Sequence, residues 1–109
     1  MSKDLDLITP GEILLEEFMK PYALTQSRLA HDLNVNVTRI RDIIHGRRTI
    51  TADTALRLAK YFDTSPELWL GLQLEYDVRK AQKKIGKSIA DQVHVFTGID
   101  TRSHPSLSL

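Results

Sequence analysis

Cysteine is absent from this chain, which excludes disulfides and thiolate metal sites and fits a reducing compartment. Glycine is scarce, and its five copies include no phosphate-binding loop. No apolar run approaches the length of a membrane span, and the charged N-terminus lacks a signal-peptide core, so the expected location is the cytoplasm. His31, His45, His94 and His104 show no metal-ligand spacing, and no H-E-x-x-H pattern exists. Serine, histidine and aspartate occur without any triad arrangement. An enzyme, a metal or a cofactor is therefore not expected. Charge of one sign is also lacking: the net value is +1, so affinity for nucleic acid has to come from local asymmetry. Hairpin signals and internal repeats are missing too, which leaves an all-α domain of 109 residues with a single modest core.

What is present centres on Thr25 to Gly46, TQSRLAHDLNVNVTRIRDIIHG. Thr25 is placed to cap a helix in which Leu29, Ala30 and Leu33 recur at helical spacing. The pattern stops at Asn34-Val35, where asparagine tolerates a left-handed backbone. Asn36 caps the next helix, Ile40, Ile43 and Ile44 form its buried stripe, and Gly46 suits its left-handed C-terminal end. Two short helices around a tight turn are the layout of a helix-turn-helix, whose second helix enters the DNA major groove. With the isoleucines inward, Val37, Thr38, Arg41 and Asp42 fall outside. Arg41 suits guanine, Asp42 the amine of cytosine, and Val37 or Thr38 a thymine methyl. Arg39, Arg47 and Arg48 suit phosphates, and four arginines against one aspartate between Arg39 and Arg48 supply the local charge.

The flanking segments complete a five-helix reading. Thr9-Pro10-Gly11-Glu12 combines an N-cap, a proline at the first helical position and a capping-box glutamate. That helix runs to about Met19 or Lys20, with Pro21 helping to end it. Thr51 or Asp53 opens a fourth helix containing Ala55, Leu56, Leu58, Ala59 and Phe62. Ser65-Pro66-Glu67 opens a fifth, with Leu68, Trp69, Leu72 and Tyr76 on its apolar side, expected to continue to Ile85 before Gly86. Residues 1–8 read as an arm, 9–85 as the domain and 86–109 as a tail. In that tail Ile89, Val93 and Phe96 fit a helix while VHVF fits a strand, and Thr101 to Leu109 reads as disordered.

With the fourth and fifth helices in view, the chain resembles the HigA-type antitoxins of the Xre, lambda-repressor-like helix-turn-helix family. TPGEILLEEFMKP, the central motif and GRRTITADTALRLAKYFDTSPELWLGLQLEYD carry the resemblance, over roughly residues 9–85. It departs at Asn34 and Asp63, where members often have glycine. The resemblance implies a five-helix lambda-repressor-like DNA-binding domain. It also implies a homodimer on a palindromic operator, often its own operon's, and a toxin partner of the RelE-like, mRNA-cleaving kind. By position it adds Gln26, Ser27, Asn36, Arg47 and Arg48 as phosphate contacts beside the reading set Val37, Thr38, Arg41 and Asp42.

Three features stay open at this level. Trp69 fits either the core or a dimer seam, and Leu70 and Leu74 are spare apolar positions for that seam. Arg79, Lys80, Lys83, Lys84 and Lys87 form a basic face that suits solvent, DNA flanks or the negative end of the helix. Valine at a reading position and a near-neutral charge also fit a protein-interaction module that binds DNA only weakly, and a solitary regulator without a toxin fits the same residues.

Overall fold

A computed structural model describes residues 7–98. Five helices make up this part: α1 (Pro10–Ile13, continuing as a π segment over Leu14–Met19 and a 3-10 turn over Lys20–Tyr22), α2 (Gln26–Leu33), α3 (Val37–Ile44), α4 (Ala52–Phe62) and α5 (Pro66–Gln92). No strand occurs among the described residues. The expectations for residues 1–6 and for 101–109 fall outside them.

The starts follow from the capping chemistry. Thr9 Oγ1 accepts from the Glu12 amide at 3.1 Å while the Glu12 carboxylate accepts from the Thr9 amide at 2.9 Å, a complete capping box. Thr25, Asn36, Thr51 and Ser65 cap α2, α3, α4 and α5 in turn. The ends share one device as well. A left-handed residue follows α1, α2, α3 and α4: Ala23, Asn34, Gly46 and Asp63, with φ of 53°, 60°, 76° and 56°. The next amide then reaches back five residues, as in Leu24 to the Met19 carbonyl and Val35 to the Ala30 carbonyl. Asn34 and Asp63, where the resembled family often has glycine, are thus left-handed, a conformation glycine adopts readily. Only Gly46 adopts it without a Cβ penalty.

Leu14, Met19, Leu29, Ile40, Ile43, Leu58 and Trp69 are fully enclosed at the centre. Trp69 is thus a core residue, and its assignment to a dimer seam is corrected. Phe18 and Phe62 stack around it at 4.7 and 6.1 Å between ring centres, and its indole N–H donates to Thr64 Oγ1 at 2.8 Å. The ring has no face left for a partner. A second correction concerns α5, which passes through Gly86 and ends at Gln92. Helix persists there because one glycine costs only about 1 kcal/mol, and Ile89 and Ser88–Gln92 continue the helical pattern.

Gly11 is buried where α1 crosses the end of α3, and a Cβ there would lie 1.9 Å from the Ile43 carbonyl oxygen. Backbone, not a flexible side chain, occupies the space. Gly11→Ala should therefore cost about 3 kcal/mol of stability, whereas Ala23→Gly should gain up to about 1 kcal/mol by relieving the left-handed strain. Urea unfolding of both variants checks the pair, and equal midpoints would contradict the packing described.

Candidate nucleic-acid interface

The second helix of the motif is eight residues long and is gripped from behind. Ile40, Ile43 and Ile44 are buried, and Val37 packs partly against the same cluster. Residues 37, 40 and 44 recur at spacings of three and four, so Val37 belongs to the inner stripe. It lies half-buried at the edge of that stripe, with part of its side chain still outward beside Thr38. Thr38 and Arg41 are exposed, and among the described residues no group pairs with the Arg41 guanidinium. Asn36 Oδ1 accepts from the Thr38 amide at 2.8 Å, which fixes the start of α3 and leaves the amide nitrogen free to donate. Gln26 and Ser27 occupy the first turn of α2, where backbone N–H groups are unsatisfied within the helix.

Arg39 is placed differently from the expectation that it contacts phosphate. Its guanidinium donates to Asp53 Oδ1 at 2.8 Å and to Thr54 Oγ1 at 3.3 Å, tying α3 to α4. Asp53 also accepts from Arg57 at 2.7 Å, and Arg57 donates to the Leu33 carbonyl at 2.9 Å. These two arginines, Arg57 foremost, hold the Asp53 carboxyl below its usual range. The relay runs from the end of α2 through α4 to α3, so it braces the angle between the two helices of the motif. Sequence reading missed Asp53 and Arg57 because the contacts span 14 and 24 residues. Periodicity carries no information at that range.

A parallel tie involves Asp32 and Tyr61. The Tyr61 hydroxyl donates to Asp32 Oδ2 at 2.5 Å, Arg28 Nε donates to the same oxygen at 2.8 Å, and His31 lies 3.3 Å from Oδ1. Tyr61 first, then Arg28 and His31, bring the Asp32 carboxyl down to about 2 from an ordinary 3.8.

Asp42 faces outward on α3 but is not free. Oδ1 lies 3.3 Å from Arg47 Nη2 and Oδ2 lies 3.6 Å from Arg48 Nη2. Arg47, Arg48 and Lys80 of α5 line one small cavity together, so the basic side of α5 begins beside the arginine loop. Lys80 also lies over the Tyr76 ring at 5.7 Å. On a different side of α5, Leu70, Leu74, Val78, Ile85 and Ile89 are exposed in one stripe, with Leu74 64% accessible. No cluster of acidic and histidine side chains able to hold a metal occurs among the described residues. No helix there is long and apolar enough to cross a membrane.

Residues 15–69 match the Helix-turn-helix family HTH_3. This chain belongs to that family. The virulence-associated protein I of Dichelobacter nodosus is 45% identical over 80 residues, 73% of this chain and 74% of that one. Among solved structures, an addiction-module antidote protein of the HigA family from Coxiella burnetii is 48% identical. It superposes with a TM-score of 0.79 over 83% of this chain and 98% of its own. The Pseudomonas aeruginosa antitoxin HigA, solved with the higBA promoter, is 40% identical with a TM-score of 0.79, over 81% and 96%. The HTH_3 chain described here therefore has the all-α, lambda-repressor-like fold, with HigA-family antitoxins as structural relatives. It is a helix-turn-helix transcriptional regulator, not an enzyme.

The depressed carboxyl of Asp32 makes one prediction about the scaffold behind α2. A carboxylate held below its unfolded value stabilises the fold above pH 3.8, and that contribution is lost as pH falls towards about 2. Asp32→Asn should therefore narrow the gap between urea midpoints measured at pH 5 and pH 2.5. An unchanged gap would show that the Tyr61 tie carries no stability.

Proposed function

We propose that this chain is the antitoxin of a type II toxin–antitoxin pair. It would bind a palindromic operator upstream of its own gene as a homodimer, act in the cytoplasm and neutralise a RelE-like mRNA-cleaving toxin. The observation that carries the DNA part is the outward face of α3, where Thr38 and Arg41, unpaired among the described residues, stand clear beside the arginine loop. Arg41 reaches guanine, Thr38 a thymine methyl and Asp42 a cytosine amine. Gln26, Ser27, Asn36, Arg47 and Arg48 hold the backbone. The toxin part rests on the likeness to HigA antitoxins.

The dimer follows from α5. Beyond Tyr76 nearly every residue is exposed, so this half of the helix lacks a core of its own. Its apolar stripe from Leu70 and Leu74 to Ile89 is the surface to cover, and a second copy covers it with identical chemistry. Two recognition helices related by that axis would sit about 34 Å apart, one turn of DNA.

Purified protein should prefer its own upstream DNA over scrambled DNA by a thousandfold or more. Arg41→Ala should weaken upstream binding by about 1–3 kcal/mol and relax one base position. Exchanging Arg47 or Arg48 for glutamine should weaken every sequence and shallow the salt dependence. Equal, salt-sensitive binding to both DNAs would instead favour a module devoted to protein partners, to be tested by capture of the neighbouring gene's product.

Leu74→Glu tests the seam separately. The side chain is exposed in the single chain, so the fold should survive while sedimentation shows monomers and operator affinity falls. A dimer that persists unchanged would place the seam elsewhere.

A further inference from the structure

A carboxylate on the DNA-facing side of a recognition helix opposes a polyanion, so its position needs a reason. Asp42 lies on the exposed side of α3, one residue from Arg41 and one turn from Thr38. It is only 24% accessible, because the loop after α3 folds the next two arginines over it. Gly46, left-handed at φ 76°, makes that return, and the Arg47 amide donates to the Asp42 carbonyl at 2.8 Å. Main chain and side chain of Asp42 thus both hold the arginine loop. One oxygen serves each arginine: Arg47 at 3.3 Å and Arg48 at 3.6 Å. These are the same two cations that the proposed DNA contact assigns to phosphates.

We propose that Asp42 is a specificity-determining residue that couples base reading to backbone contact. In the free protein, and for most of the time on unmatched duplex, it retains Arg47 and Arg48, whose exposed ion pairs open often enough for a weaker contact with any phosphate backbone. For either arginine to reach a phosphate, the ion pair has to open and leave an unpaired carboxylate against the DNA. Where the groove presents a cytosine, its N4 amine donates to Asp42 and replaces the arginines. The two guanidinium groups then swing to the backbone without leaving the carboxylate unsatisfied. A matched base is therefore rewarded twice, once by its own hydrogen bond and once by two freed cations. The scheme fits the partial exposure of all three groups: 59% for Arg47 and 46% for Arg48 leave them room to move. It rests on the DNA-binding reading above and adds to it a mechanism for discrimination.

The test is a cycle of four proteins: the unmodified chain, Asp42→Asn, Arg47→Gln/Arg48→Gln, and the three substitutions combined. Each is titrated with the upstream fragment and with scrambled duplex of equal length across a range of salt. Asp42→Asn keeps the shape and removes the charge. Exposed ion pairs are individually weak, so scrambled DNA should bind about 3- to 10-fold tighter. Its salt slope should steepen by about 1 to 2, since each freed cation displaces about 0.9 counterion. Upstream affinity should not rise, so the preference for upstream DNA narrows. With both arginines replaced, Asp42→Asn can relieve only the repulsion of the bare carboxylate, so scrambled DNA should gain clearly less than in the unmodified chain and the salt slope should not steepen by a freed cation. If the substitution tightens scrambled binding equally with and without the arginines, the carboxylate acts by plain repulsion and the coupling is refuted. No change on scrambled DNA refutes it as well. Absence of any upstream preference in the unmodified chain would instead defeat the underlying DNA-binding reading, a result the cycle separates from the other two.

Discussion

An isolated helix of eight residues does not persist in water, because two turns cannot offset the cost of nucleation. α3 is such a helix, and it carries the surface proposed to read DNA. Its existence depends on burying Ile40, Ile43 and Ile44, and much of the rest of the domain can be understood as the means of doing so. α1 approaches so closely that only glycine fits at position 11, against the carbonyl of Ile43. The aromatic group of Phe18, Phe62 and Trp69 then locks α1, α4 and α5 into one body. Hydrophobic burial fixes where α3 sits. It does not fix the angle of α3 to α2, since apolar contacts are non-directional.

Directional contacts supply that angle. Leu33 carbonyl, Arg57, Asp53 and Arg39 form a continuous path across three helices, and the Asp32–Tyr61 pair joins α2 to α4 a few residues away. Arg39 illustrates the division of labour on a recognition helix. It is adjacent in sequence to residues proposed to face DNA, yet its guanidinium turns back to α4. A basic residue on such a helix cannot be assigned to phosphate on its charge alone. What decides is whether the next helix offers a carboxylate within reach, and here Asp53 does.

This explains which parts were legible in the sequence. Caps act within four residues, so Thr9, Thr25, Asn36, Thr51 and Ser65 announced five helix starts from local chemistry. Left-handed ends were legible at Asn34 and Gly46 for the same reason, and the isoleucine stripe emerged from a period of 3.6. Ala23 gave no such signal, because alanine has no chemistry that favours a left-handed backbone. The errors arose where the deciding partner is distant. Trp69 was left between core and seam because only Phe18 and Phe62, brought in by other helices, enclose it. Val37 straddles the edge of the apolar stripe, which eight residues over two turns are too few to define. The widened π segment of Leu14–Met19 has no composition mark at all.

The length of α5 poses the remaining physical problem, since half of the helix extends past the body it belongs to. Direction in such an overhang has to be set at its base. Trp69 anchors one side, and Gln73, itself buried, accepts from the Ile50 amide at 2.8 Å while donating to Asp77 at 3.0 Å. That single amide joins the loop bearing Arg47 and Arg48 to the helix bearing the apolar stripe. In the proposed dimer the stripe sets where the second copy lies, and the loop sets where each copy meets the backbone. The distance between half-sites then passes through Gln73. An amide satisfied at both ends transmits that geometry rigidly, whereas an apolar residue of the same size would let α5 rotate against the loop. The buried polar group at this position is thus explained by orientation, to which a purely apolar contact would be indifferent.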